Sequence, residues 1–180
     1  MSEHQLFHFM IAKAATLYTK EEIKKELSWL RSLNEDEFQS ATISLRDAVS
    51  EDSDDLADAL EWGVNLFTAY EVHSNGIADI LETIPEHSNI IISLDVDALD
   101  PSIVPGVIGR TPGGLTYFQT LDLIKGASKK GRICGINFVE YMPEVDIDGI
   151  GALTTSRLIA ASMGILSRQE FNQTYNLDDT

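Results

Sequence analysis

The apolar stretch Asn89-Ile90-Ile91-Ile92-Ser93-Leu94 ends in charge at Asp95. Nearly continuous apolarity over six residues predicts a strand buried on both faces. Upstream, Thr19-Lys20-Glu21-Glu22 has the form of a capping box, and Ile23, Leu27 and Leu30 follow at helical spacing, so residues 20–33 read as an amphipathic helix. Ala41 to Leu45 alternates and predicts a short strand; Ser53 to Trp62 returns to helical spacing and Gly63 stops it. Val64 to Tyr70 reads as a strand, and Ser74 as the cap of a helix running through Leu81 that Pro85 ends. Beyond the Asp95 strand lies a Pro/Gly-rich loop. Thr116-Tyr117-Phe118-Gln119, a second capping box, then opens a helix through Leu121, Leu123, Ile124 and Ala127 that Gly131 closes. Ile133 to Val139 predicts another strand, Gly151 to Leu166 a long apolar helix, and the residues from about Arg168 a polar tail.

Strands alternating with helices, none with a polar face, predict an α/β domain whose parallel sheet is covered on both sides. Such sheets bind ligands beyond the carboxyl ends of their strands. The chain has 180 residues, 43% of them hydrophobic and 23% charged, with mean hydropathy −0.06, as in a globular domain of ordinary size. No apolar run reaches the roughly 18–20 residues of a spanning helix. The first residues lack the features of a secretory signal, so a cytoplasmic location is expected, with no membrane partner. A net charge of −16 argues against nucleic-acid binding and favours cationic partners. Ten acidic residues and a single basic one, Arg46, between Glu35 and Glu61 read as a solvated face. Cys134, the only cysteine, stands in an apolar stretch and reads as a small buried hydrophobe.

Candidate chemistry collects at two strand ends. Asp95 and Asp97 follow the strongest strand, and i, i+2 spacing in an extended backbone points both carboxylates to one side. Two carboxylates held that close repel each other unless a cation lies between them, which suits a divalent metal; the plain alternative is a solvated strand end that caps the next turn. Glu140 ends the next strand and would open into the same crevice. Between them, Asp100-Pro101, Pro105-Gly106 and Thr111-Pro112-Gly113-Gly114-Leu115-Thr116 make a long loop whose glycines allow backbone to approach a ligand.

The segment Ser93-Leu94-Asp95-Val96-Asp97-Ala98-Leu99-Asp100-Pro101, together with Pro105-Gly106, Pro112-Gly113-Gly114-Leu115-Thr116 and Val139-Glu140, resembles the carboxyl-terminal half of the ureohydrolases: arginase, agmatinase and guanidinobutyrase. Weaker similarity reaches back to about Ala41 and forward to about Arg168. This divides the chain into an unmatched 1–40, a ureohydrolase-like 41–168 and a tail, 169–180. Arg110-Thr111-Pro112-Gly113-Gly114 and Lys129-Lys130-Gly131-Arg132-Ile133 look most like agmatinase-type members. The resemblance implies a three-layer α/β/α sandwich, here incomplete on its N-terminal side, and a homo-oligomer. It implies hydrolysis of a small guanidino substrate to urea by a centre of two manganese ions. Asp95 would bridge the ions, Asp97 would bind one, and Glu140 would be the catalytic-site carboxylate that pairs with the substrate guanidinium.

The family's other ligand segments, Gly-Gly-Asp-His-Ser and Asp-Ala-His-x-Asp, do not occur. His4 and His8 stand at i, i+4, a metal-ligand spacing on a helix but without the zincin glutamate; His73, placed at a strand-to-helix junction, and His87 read as structural. The expectation is a truncated ureohydrolase lacking half its metal ligands; in the alternative, residues 1–40 or a partner chain supply substitutes. Two further readings are a non-catalytic remnant or assembly module, and a haloacid dehalogenase-like phosphatase with Asp95 as nucleophile.

Overall fold

The computed structural model describes residues 6–12, 38–44 and 65–169. Five strands form one sheet: β1 (Leu6–Ala12), β2 (Phe38–Ser44), β3 (Asn65–Leu66), β4 (Asn89–Asp95) and β5 (Arg132–Val139). The order across the sheet is β3-β2-β1-β4-β5, and every pairing is parallel. Helices α1 (Ala69–Asn75) and α2 (Ala78–Glu82) lead into β4, α3 (Tyr117–Lys130) crosses from β4 to β5, and α4 (Ile150–Leu166) follows β5.

The core explains why β4 is central. Ile90, Ile92 and Leu94 point to one face and are fully buried, while Ile91, Ser93 and Asp95 alternate to the other face and are half-buried. Leu123, Ile124 and Ala127 of α3 and Leu158 of α4 belong to the same buried cluster. Thr116 caps α3 as its sequence predicts, accepting from the Gln119 backbone while the Gln119 side chain accepts from the Thr116 backbone.

Several expectations change. Only Asn65–Leu66 of the predicted Val64–Tyr70 strand pairs, because Thr68 caps α1 in a box with Glu71. Ser74 therefore lies inside α1; the helix stops at Gly76, whose φ is 81°, and a separate short helix follows. His8 lies on a strand, beside Ser40 and Ile91, and not on a helix, while His4 lies outside the described residues. Cys134 is exposed rather than buried: β5 is an edge strand of the described sheet, and Cys134 alternates away from buried Ile133. The predicted helices at 20–33 and 53–62 lie outside the described residues, as does the tail beyond Gln169. Among the described residues no helix is long and apolar enough to cross a membrane.

The start of α4 is held unusually. Its N-cap, Gly149, offers no side chain, and Asp146 substitutes for it: Oδ1 accepts from the backbone of Ile147 and Gly151, and Oδ2 from Ala152 N–H and the Tyr141 hydroxyl. A methyl on Gly151 would stand 2.8 Å from Asp146 Oδ1, so glycine permits the approach. Partial desolvation raises the Asp146 pKa, but the backbone donors and Tyr141 outweigh it and leave the group below its ordinary 3.8. A depressed carboxylate pKa contributes stability that is present above the unfolded value and is lost as pH falls through the folded one. The melting-temperature gap between wild type and Asp146→Asn should therefore be widest near neutrality and shrink below about pH 4. Thermal unfolding followed by circular dichroism from pH 7 to pH 3 checks this, and a constant gap would refute it. Leu123→Ala should cost about 2–5 kcal/mol in urea denaturation.

Candidate active site

Reading across the sheet, chain order reverses between β1 and β4, and in open parallel sheets ligands bind outside the carboxyl ends at such a switch point. The register aligns Ile11 with Leu94, and Asp95 with Val139, so Ala12, Asp95 and Glu140 succeed one another along the carboxyl edge.

Asp95 ends β4, and Val96–Ala98 turns immediately into a short 3-10 helix. The two aspartates thus meet through a turn instead of along an extended strand, with Asp95 Oδ1 accepting from Asp97 N–H at 3.0 Å. Burial, then the Asp97 charge, then Glu140 push the Asp95 carboxyl up to about 8, and the Asp97 amide only partly offsets them. Glu140 is exposed and adopts φ 65°, a left-handed backbone that costs a residue with a side chain about 1–2 kcal/mol. Strain of this kind clusters at functional sites.

The loop after Asp97 is tied down along its length. Leu99 bridges Leu115, Asp100 N–H donates to Leu115 O at 3.0 Å, and Leu115 N–H donates to Ala98 O at 2.9 Å. The Asp100 carboxylate accepts from the Ser102 and Gly113 amides, and the Ser102 side chain first, then these backbone donors, hold its pKa low against partial burial. A methyl on Gly114 would stand 2.5 Å from the Leu99 carbonyl carbon, so only glycine fits there. At the other end Arg110 donates to the carbonyls of Pro105 and Val145.

Sequence reasoning took His73 as structural without its partners, and it missed Asp146. His73, in the last turn of α1, has Nε2 3.2 Å from Gly113 O and 3.1 Å from Gly114 O, and Nδ1 3.3 Å from Gln119 Nε2. This geometry calls for the tautomer that donates from Nε2 and accepts at Nδ1. The Thr68-x-x-Glu71 box that fixes α1, and hence His73, was legible in the chain. Asp146 carried no comparable signal. His87, at φ 62°, donates its backbone N–H to Lys130 O and plays a turn role.

Oxygen donors of the Asp95 and Asp97 type suit a hard divalent cation, which would offset the burial and the repulsion that push the Asp95 carboxyl up. Among the described residues, however, no group of three or more His, Cys, Asp or Glu side chains could hold a metal. The neighbouring strand ends in Ala12, which has no donor atom in its side chain. The described donors fit one flank of a metal site and do not complete a two-ion centre.

This arrangement, a parallel α/β sheet with acidic side chains at its switch point, is that of an open α/β fold with a candidate ligand site at its carboxyl edge. Residues 10–164 match the Arginase family, and the chain belongs to it. The N(1)-aminopropylagmatine ureohydrolase of Thermus thermophilus is 36% identical over 120 residues, covering 66% of this chain and 40% of that protein. An arginase of Schizosaccharomyces pombe is 32% identical over 129 residues, covering 68% and 39% respectively. The chain thus spans about 40% of the length of these curated relatives. The formimidoylglutamase structure from Bacillus subtilis superposes with a TM-score of 0.70 at 20% identity, over 94% of this chain and 56% of that one, which establishes the arginase-like fold. The family match leaves no place for the haloacid dehalogenase-like alternative.

Replacing Glu140 by glycine removes the backbone strain but also removes the carboxylate. Glu140→Gly should gain roughly 0.5–1 kcal/mol of stability, since relief of left-handed strain is partly cancelled by glycine's extra unfolded-state entropy. Urea denaturation reads this, and a loss of stability would show that the Glu140 side chain, in its strained state, supports the fold.

Proposed function

We propose that the protein hydrolyses a small cationic guanidino compound to urea, in the manner of an agmatinase, with manganese as its cofactor. The convergence of Asp95, Asp97 and Glu140 at the switch point carries this reading. Water adds to the guanidinium carbon, the bond from that carbon to the alkyl-bearing nitrogen breaks, and the amine leaves with a proton while urea remains. Glu140 is the carboxylate suited to pair with the planar guanidinium and orient it, because carboxylate and guanidinium match in a two-point hydrogen-bonded fork. Asp95 and Asp97 are the oxygen donors for the metal.

The charge around the crevice favours agmatine over arginine. Arginine carries an α-carboxylate that a site must neutralise, whereas agmatine carries a second cation. Between Val96 and Thr116 the only basic residue is Arg110, and its guanidinium is committed to the carbonyls of Pro105 and Val145. The overall charge of −16 acts in the same direction, since it attracts cations from solution.

Urea release from agmatine, arginine and 4-guanidinobutyrate, measured with added manganese, tests the reading. Agmatine should be the best of the three, by at least tenfold in kcat/KM over arginine. Glu140→Gln should lower kcat/KM for agmatine by on the order of 100-fold through lost orientation. Absence of urea from all three substrates at high protein concentration would reject hydrolysis and leave a non-catalytic member of the family.

A further inference from the structure

Glu140 stands between two segments that are tied down independently. On one side Val139 ends β5 and pairs with Asp95 in the ladder to β4. On the other, Met142 N–H donates to Gly106 O at 2.7 Å, and the Tyr141 hydroxyl donates to Asp146 Oδ2 at 2.9 Å. The chain therefore turns from the sheet onto the Pro105-Gly106 loop at a single residue, and that residue takes φ 65°. A glutamate does not favour this conformation by itself. Its flank imposes it.

Packing singles out Tyr141 on that flank. A methyl on Gly106 would stand 2.7 Å from Tyr141 Cε2 and 3.0 Å from Asp146 Cβ, so the ring and the aspartate both lie close against buried backbone that carries no side chain. A methyl on Gly151 would stand 3.2 Å from Gly106 N, which brings the start of α4 into the same contact. Asp146 is itself fixed by the amides of Ile147, Gly151 and Ala152. It offers Tyr141 a rigid acceptor. Because those amides already occupy the carboxylate as a cap for α4, the Tyr141 bond acts chiefly on its own segment, one residue beyond Glu140.

We propose that Tyr141, seated on Gly106 and tied to Asp146, is a positioning residue that holds Glu140 in its left-handed turn and so fixes where the Glu140 carboxylate stands. The inference rests on the guanidino reading for what that carboxylate meets, and on geometry for the turn itself.

A double-mutant cycle in urea denaturation separates this role from a merely structural one, since independent changes add and coupled ones do not. Glu140→Gly relieves the strain and should raise the urea midpoint of the 180-residue chain. Tyr141→Phe keeps the ring but removes the hydroxyl, so the turn relaxes and at least half of that rise should be lost in the double variant. In the surface control Asp122→Asn the rise should remain whole. Urea release from agmatine with added manganese should fall at least tenfold in Tyr141→Phe, in kcat more than in KM, because the carboxylate is kept and its orientation is lost. An additive cycle, no rise with Glu140→Gly alone, or urea release unchanged in Tyr141→Phe overturns the proposal. Should Tyr141→Phe fail to fold by circular dichroism, Asp146→Asn, which weakens the same bond from its other end, takes its place in the cycle. If wild type releases no urea, hydrolysis falls and the cycle alone decides the role of Tyr141; an additive cycle with urea release from wild type sinks that role and leaves hydrolysis standing.

Discussion

The structure depends on the placement of β4 between two parallel neighbours. Ile90, Ile92 and Leu94 are each fully removed from water, and burying side chains of that size stabilises by about 1.5–3 kcal/mol apiece. That apolar row fixes the strand's phase, because a one-residue slip would turn all three outward and drive Asp95 into the core face. The phase in turn sets Asp95 at the carboxyl edge, facing Asp97 and Glu140. Repulsion among these carboxylates is tolerated because the core beneath them is too well packed to yield.

A carboxylate cluster is useful only if its walls do not drift. The loop from Leu99 to Leu115 is long, yet it returns to its own start through paired backbone bonds and the Asp100 carboxylate. His73 reaches across from α1 to the Gly113 and Gly114 carbonyls, and Gln119, itself part of the α3 cap, reaches His73. On the far side, Arg110 joins Pro105 to Val145, while Tyr141 and Asp146 anchor α4. One helix cap, one imidazole and one guanidinium thus hold a segment without secondary structure of its own, so that little ordering is left for a ligand to impose.

Much of this was legible in the chain because the relevant signals are local. The apolar run at 89–94, the Thr116-Gln119 box and the periodicity of 151–166 each contain their own cause, and each element formed within a residue or two of its expected ends. The candidate residues Asp95, Asp97 and Glu140 were readable as acids at or just beyond strand ends, and the structure sets them near one another at the carboxyl edge of the sheet. What failed depended on competition or on distance. Val64 to Tyr70 is apolar enough for a strand, but Thr68 and Glu71 satisfy each other's backbone and the helix wins. Leu6 to Ala12 has little meaning alone and becomes a strand only between β2 and β4. Cys134 looked internal because its neighbours are apolar, whereas exposure is set by which strand lies at the sheet's edge. Asp146 and His73 act over contacts that sequence spacing does not encode.

The two energetic oddities of the site have one resolution. Asp95 is held near protonation by burial and by its acidic neighbours, and Glu140 keeps a backbone conformation that its side chain disfavours. Each raises the energy of the protein standing alone, and each is relieved or repaid by positive charge, on the aspartate pair in one case and opposite Glu140 in the other. Because the two groups influence each other, a cation on the first weakens the field felt at the second.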